Sequence, residues 1–272
     1  IFVLTGGTHV SALNATNGGV IWQTSHQPTS STTTSSASGI FAGDGGVYVS
    51  LADGVLYAFQ KANGGLLWHS TSYDDGPWLI DHQHLMVVSS CNSGLSLLTG
   101  TDCIDAVNPT TGALLWNASL GEYLCPVSPA CGFNLATVIA SNGELYLLID
   151  HANHIPNGIY ATQQIIAANE ASGNFDWTYT IPGSGSASQS TPTHSFTLIA
   201  ADSATICYES DAGIFTARTS ANRRQQWTFT LPGGYAGYTR VSPGVIYVIS
   251  TQSNLYALKT NTGAVLWSTT LN

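Results

Sequence analysis

The sequence predicts an all-β protein: a six-bladed β-propeller of four-stranded antiparallel blades, with the first blade lacking its innermost strand. Two observations carry this prediction. The first is a repeat. Residues 255–267, LYALKTNTGAVLW, place an alanine ten positions before a tryptophan and a glycine four before it. Trp22 has Ala12 and Gly18 at those offsets, Trp68 has Ala58 and Gly64, and Trp116 has Ala106 and Gly112. Trp177 has Ala167 and Gly173, Trp267 has Ala257 and Gly263, and Trp227 keeps Ala217 but carries Arg223 in place of the glycine. A fixed period of this size marks one supersecondary unit used again and again. The second observation is the period inside each unit. Leu255, Ala257 and Lys259 alternate with Tyr256 and Leu258, as a half-buried strand does.

Within one repeat the order of elements follows from these residues. The alternating strand runs into the turn Thr260-Asn261-Thr262-Gly263, whose glycine can take positive φ without a steric cost. A second strand carries Ala264-Val265-Leu266-Trp267. The apolar run 244–250 and the segment 238–241 supply two more strands before the hairpin. Four short antiparallel strands per unit, with no helical spacing, describe a propeller blade. The alanine is a small residue against which a large indole can lie flat, on the same blade or on the next. Six indoles buried this way would stabilise the ring strongly, at about 25 cal/mol per Å² of apolar surface. The blade-docking residues are therefore Trp22, Trp68, Trp116, Trp177, Trp227 and Trp267.

The pattern LYAL…TGAVLW resembles the PQQ-type, quinoprotein-like β-propeller repeat, in which the tryptophan docks neighbouring blades. The resemblance covers essentially the whole chain and implies the fold. That family includes quinone-cofactor dehydrogenases, an outer-membrane assembly lipoprotein and many surface proteins, so it implies no single activity. Its dehydrogenases have eight blades, an adjacent Cys-Cys pair and a calcium-type ion held by Glu, Asn and Asp. No two cysteines are adjacent here, and six repeats are present.

The blades follow in order as one domain, 1–272. The first takes residues 1–5, 10–14 and 20–24. A Ser/Thr-rich stretch, 25–38, reads as a loop. The second has 40–41, 47–51, 55–60 and 66–70, and the third 78–80, 85–89, 103–108 and 114–118. The fourth is enlarged: Trp116 and Trp177 are 61 positions apart, against 40 for Trp227 and Trp267. The extra length is expected in loops at 121–132 and 151–162, where function tends to sit. The fifth has 196–200, 205–210, 214–218 and 226–230, with Asn222 expected to supply the left-handed turn residue beside Arg223. The sixth closes the chain with four strands. Three readings of the short first blade stay open: a chain extending further N-terminally, a three-stranded blade, or a strand donated by a second subunit to an open edge.

Composition limits the function. The chain has 272 residues, of which 8% are charged, against the usual ~25%. Ser, Thr, Asn, Gln and Gly must cover the surface, which suits a secreted protein or a packed assembly. A net charge of −9 with six basic residues excludes a nucleic-acid binder. No apolar run reaches the ~20 residues of a helical membrane span. Of five cysteines, Cys91 with Cys103 and Cys125 with Cys131 flank short loops at spacings suited to disulfides, and Cys207 reads as a buried thiol.

Candidate chemistry is sparse. His82 and His84 share one strand face beside Asp81, and Asp150, His151 and His154 form a second metal-type set. Asp74 and Asp75 sit in a Gly/Pro turn, where they would cleave glycosides only with a partner across a cleft. Asn14-Ala15-Thr16 and Asn117-Ala118-Ser119 match the N-glycosylation acceptor pattern. The expectation is a non-catalytic, secreted or cell-surface scaffold without a cofactor or catalytic residues. It would meet protein partners, glycan, or itself through the open edge of blade one, as a fibre or surface-layer subunit. A quinoprotein-like or carbohydrate-active enzyme is the alternative.

Overall fold

The computed structural model describes residues 1–5, 9–25, 39–43, 45–51, 55–71, 75–80, 84–90, 102–120, 131–155, 158–183, 196–201, 204–210, 213–242 and 244–271. The chain is an all-β propeller protein with six blade sheets, three in each of two compact units, Ile1–Ser128 and Pro129–Asn272.

The first unit begins with a three-stranded sheet, β1 (Phe2–Thr5), β2 (His9–Leu13) and β3 (Val20–Ser25). Two four-stranded sheets follow. One is β4 (Gly39–Gly43), β5 (Gly46–Ser50), β6 (Leu56–Phe59) and β7 (Leu66–Ser70). The other is β8 (Asp75–Ile80), β9 (Leu85–Ser90), β10 (Asp102–Val107) and β11 (Leu114–Ser119). The second unit has three four-stranded sheets. They are β12 (Cys131–Ser141) to β15 (Phe175–Thr180), β16 (Phe196–Ala201) to β19 (Gln225–Thr230), and β20 (Tyr235–Ser242) to β23 (Val265–Thr270). Between them lie β13 (Glu144–Ile155), β14 (Gly158–Asn169), β17 (Thr205–Ser210), β18 (Ile214–Thr219), β21 (Val245–Ser250) and β22 (Asn254–Lys259).

Every sheet is an antiparallel meander in which sequence neighbours are sheet neighbours. In the first unit β4 touches both β1 and β8, and in the second β16 touches both β12 and β20. In the four-stranded sheets of each unit the first strands thus lie side by side, β4 with β8 and β16 with β12 and β20, as the inner strands of a propeller do. Among the described residues the first sheet has three strands, and its Ala12–Trp22 pairing matches β1, β2 and β3 to the last three strands of the four-stranded sheets.

The core lies between the faces of adjacent blades. Val10, Ala12 and Trp22 pack with Val47, Val49, Leu51, Tyr57 and Phe59. On the other face of the second blade, Tyr48, Leu56 and Ala58 pack with Leu85, Val87 and Val107. The second unit repeats this arrangement, with Tyr146, Leu148 and Ile165 against Leu198, Ile206 and Tyr208, and Cys207 and Phe215 against Ile246 and Val248. A strand between two such layers is apolar on both faces, which is why all four residues of β6 are buried.

The repeat's alanine is the cross-strand partner of its tryptophan on the same blade. The pairs are Ala12–Trp22, Ala58–Trp68, Ala106–Trp116, Ala167–Trp177, Ala217–Trp227 and Ala257–Trp267. One step later each pairing shifts register, so the residue before the tryptophan is extra on its strand. A bulge re-aims the side chains that follow it. Six copies of the same bulge turn six indoles the same way.

Two expectations are corrected. Part of the enlargement of blade four is a long hairpin. Its β13 and β14 run twelve residues each and pair from Glu144–Asn169 to Ile155–Gly158, taking in 151–155 and 158–162. Residues 121–130 lie outside the described residues. In the fifth blade the left-handed residue is Arg223 itself, at φ 59°, and Asn222 is not. The turn's hydrogen bonds decide this. Arg223 donates its backbone N–H to Thr219, as Gly64 does to Gln60 and Gly263 to Lys259. The left-handed position is therefore the one that closes this bond.

Candidate functional site

The most clearly built feature of the chain is the joint between blades. In each turn the strand residue before it accepts a backbone bond from the left-handed residue four positions on. The same strand residue donates its own N–H to the residue after the left-handed one: Asn14 to Gly19, Gln60 to Gly65, Asn108 to Ala113. This leaves a carbonyl pointing out, three residues before the left-handed position. The tryptophan of the preceding blade takes it. Trp22 Nε1–H donates to Lys61 O at 2.8 Å, Trp68 to Pro109 O at 3.0 Å and Trp227 to Thr260 O at 3.0 Å.

The ring then lies over the glycine. A Cβ on Gly64 would stand 2.6 Å from Trp22, on Gly112 2.7 Å from Trp68, and on Gly263 2.5 Å from Trp227. These glycines are fixed twice, by positive φ and by the indole. An aromatic residue on the tryptophan's own blade stands beside it: Phe2 by Trp22, Tyr48 by Trp68, Tyr146 by Trp177 and Tyr247 by Trp267, at about 6 Å between ring centres. Trp116 is half-buried and Trp267 is exposed.

Arg223 fills the glycine's place by a different interaction. Its guanidinium lies 5.1 Å from the Trp177 ring centre, and the neighbouring Arg218 lies 4.6 Å from the ring centre of Tyr179. Arg218 also donates to Tyr208 Oη and to the Arg223 carbonyl. Cation–π contact replaces close packing at this joint. Arg223→Ala is expected to lower stability by about 1 kcal/mol, read as a lower urea midpoint with unchanged slope.

Tyr48 reinforces the joint between blades two and three. It is fully buried, and its hydroxyl donates to the same Pro109 carbonyl at 2.9 Å. Burial pushes its pKa from 10.0 up to about 12. The unfolded chain therefore ionises first. Its contribution to stability is complete below pH 10 and is lost as pH rises towards 12. Tyr48→Phe should give a shallower alkaline loss of stability than the parent, measured as the urea midpoint against pH.

The exposed surface has its own pattern. The two residues before the tryptophan belong to the last strand of each sheet. They are exposed and aliphatic at Val20 and Ile21, Leu114 and Leu115, and Val265 and Leu266, and Leu66 is exposed on β7. In blades four and five the same places hold Phe175 and Asp176, and Gln225 and Gln226. The aliphatic rim of the first unit is therefore not continued on blades four and five.

The other candidate residues that are described lie on different strands. Cys103 is buried and disulfide-bonded, Cys207 is a buried thiol, and Cys131 heads β12. Cys91 and Cys125 lie outside the described residues. Burial, then the charge of Glu209, raises the Cys207 pKa far above the usual thiol range, so the group is inert. His84 is half-buried at the head of β9, while Asp81, His82 and Asp74 lie outside the described residues and Asp75 begins β8. Asp150 accepts from Gln163 across β13 and β14 at 2.5 Å, and His151 and His154 continue β13. Among the described residues no three His, Cys, Asp or Glu side chains gather as a metal site.

The two sequons differ. Asn14 is exposed in its turn, and its Oδ1 accepts the Thr16 N–H at 2.8 Å. Asn117 lies on β11 and donates Nδ2–H to the buried Asp105 at 2.5 Å. One pair of acids escapes the sequence. The Glu144 carboxyl is held above its usual range, first by burial and then by the charge and hydrogen bond of Asp176. Its only signal was Asp176 standing where four of the other five copies carry an aliphatic residue.

A family model described as outer membrane protein assembly factor BamB matches residues 100–272. No curated protein matches the sequence. Among solved structures, quinohemoprotein alcohol dehydrogenase from Comamonas testosteroni is 14% identical over 98% of this chain, with a TM-score of 0.60. ADHIIG, the quinohemoprotein alcohol dehydrogenase of Pseudomonas putida HK5, is 12% identical over 98% of this chain, with a TM-score of 0.59. This chain spans 58% of the length of each dehydrogenase. BamB from Moraxella catarrhalis is 11% identical over 92% of this chain and 78% of its own, with a TM-score of 0.47. At these identities the likeness shows the fold alone.

Proposed function

We propose that this chain, which belongs to the family described as outer membrane protein assembly factor BamB, is a non-catalytic interaction module that holds protein partners at the cell envelope or cell surface. One observation carries the reading: the exposed aliphatic rim of the first unit, Val20, Ile21, Leu66, Leu114 and Leu115. These residues lie on β3, β7 and β11, each hydrogen-bonded on one side only among the described strands. Exposed aliphatic side chains along a strand edge favour docking of another protein. The family description, an assembly factor, supports the same class of work. The finer version of this reading is a self-assembling fibre or surface-layer subunit.

A photo-crosslinking residue at Leu115 should trap a protein adduct in the native host, and one at Gln226 should not. The reading fails if both positions are silent, or if added PQQ and calcium give alcohol-dependent dye reduction. Under the same reading, Cys91–Cys103 and Cys125–Cys131 are the disulfides of an oxidising compartment. Asn14, with its sequon in an exposed turn, is then the glycan acceptor, whereas the Asn117 amide is engaged by Asp105. Non-reducing peptide mapping with mass detection tests both assignments.

A further inference from the structure

Four asparagines of the chain precede a glycine: Asn17, Asn63, Asn142 and Asn157. Asn157 lies outside the described residues. A glycine has no Cβ to keep its neighbour's side chain away from its backbone nitrogen. Such a pair can close on itself, the glycine nitrogen attacking the asparagine's own carboxamide carbon. The nitrogen must give up its proton to do so, and an N–H already donated to a carbonyl holds that proton more tightly. Exposure does not separate the three described pairs, since Asn17, Asn63 and Asn142 are all exposed. Their hydrogen bonds do.

In the turns of blades one and two the attacking nitrogen is engaged. Gly18 N–H donates to Asn14 O at 2.8 Å, and Gly64 N–H donates to Gln60 O at 2.9 Å. Both side chains are tied as well: Asn17 Oδ1 accepts the Gly19 N–H and Asn63 Oδ1 the Gly65 N–H, each at 2.9 Å. Gly64 is also buried beneath the Trp22 ring.

Asn142 and Gly143 stand differently, as the two-residue loop between β12 and β13. Ser141 pairs with Glu144 across the loop, and φ is 54° at Asn142 and 79° at Gly143, as a type I′ turn requires. Gly143 is held by its carbonyl, which accepts the Glu170 N–H at 2.8 Å. Its own N–H meets no acceptor among the described residues. A Cβ on Gly143 would meet nothing within 4 Å, so water reaches this backbone. The Asn142 side chain is tied at its nitrogen, where Nδ2 donates to Ser141 Oγ at 3.0 Å.

We propose that Asn142 is a site of spontaneous deamidation in the folded chain, with the Gly143 nitrogen as nucleophile and water as co-reactant. The Gly143 nitrogen bonds to Asn142 Cγ and the Cγ–Nδ2 bond breaks. Nδ2 leaves as ammonia, carrying the proton that Gly143 lost. Water then opens the cyclic imide at either carbonyl, giving aspartate or isoaspartate at position 142, and nothing is oxidised or reduced. Either product places a carboxylate two residues from Glu144, which already meets Asp176. Isoaspartate also lengthens the backbone of the loop that sets the register of β12 on β13.

The test follows the whole chain, kept folded at mildly alkaline pH and sampled over time. Peptide mapping with fragmentation that separates aspartate from isoaspartate reads each site. Conversion at Asn142 should run roughly tenfold ahead of Asn17 and Asn63, the factor that one backbone hydrogen bond is worth. In guanidinium chloride, where the turn bonds are gone, the three rates should converge. Equal rates in the folded chain overturn the proposal, as does Asn17 or Asn63 converting ahead of Asn142. So does a lead of Asn142 that persists undiminished in the unfolded chain. The modified fraction, separated by its added charge, should show a lower urea midpoint than the unmodified chain, and an unchanged midpoint would overturn the effect assigned to the loop.

Discussion

Trp227→Ala should lower the stability of the chain by about 4 kcal/mol, whereas Trp267→Ala should cost under about 1. The two residues share a cross-strand alanine, the same bulge and the same place after the turn. They differ in what covers them. Trp227 is buried against the turn of the next blade, and its Nε1–H is bonded to Thr260 O. Removing it empties the space between Phe215, Ile246 and Leu258 and leaves a buried carbonyl without its donor. Removing Trp267 takes away a side chain already half in water. Urea unfolding of dilute samples, followed by circular dichroism, measures both. Equal losses would mean that the tryptophan acts within its own blade and not between blades.

Gly263→Ala should cost about 3 kcal/mol, and Gly18→Ala only about 1. Both glycines have positive φ, so both variants bear the left-handed strain of an L residue. Only at Gly263 does the added Cβ also meet an indole, at 2.5 Å. The ring is rigid and buried, so it must move as a body. The difference between the two variants isolates the docking contribution from the backbone contribution. The same urea experiment reads it, and a difference near zero would show that the ring yields without loss.

The tryptophan, alanine and glycine spacing was legible in the sequence because each of the three obeys a steric rule that recurs from blade to blade, with Arg223 the one departure. The small residue must face the indole across the sheet, and the left-handed residue must close the turn. Which blade each contact belonged to was not legible, since spacing carries no register. The structure divides the two: Ala58 faces Trp68 on its own blade, while Gly64 receives Trp22 from the blade before. The bulge at every tryptophan was hidden for the same reason.

Arg223 was misread for an instructive reason. Asparagine is the commoner left-handed residue, so Asn222 looked the better candidate. The turn's hydrogen bonds select the position, and the guanidinium over Trp177 makes arginine workable there. The hairpin of blade four was hidden because residues 151–163 are mostly polar or small and so show no period-two hydropathy. The carboxyl pair of Glu144 and Asp176 lies on two strands separated by β14, a juxtaposition that only the sheet order reveals.

The central claim, that Trp22, Trp68 and Trp227 are each fixed by the turn of the following blade, is tested most directly by hydrogen exchange at the indole N–H groups. A dilute sample labelled with nitrogen-15 at tryptophan resolves them individually. Trp22, Trp68 and Trp227, each bonded to a carbonyl of the next blade, should exchange slowly, and Trp267 should exchange at a rate close to that of an exposed indole. Uniformly fast exchange at all four would contradict the account.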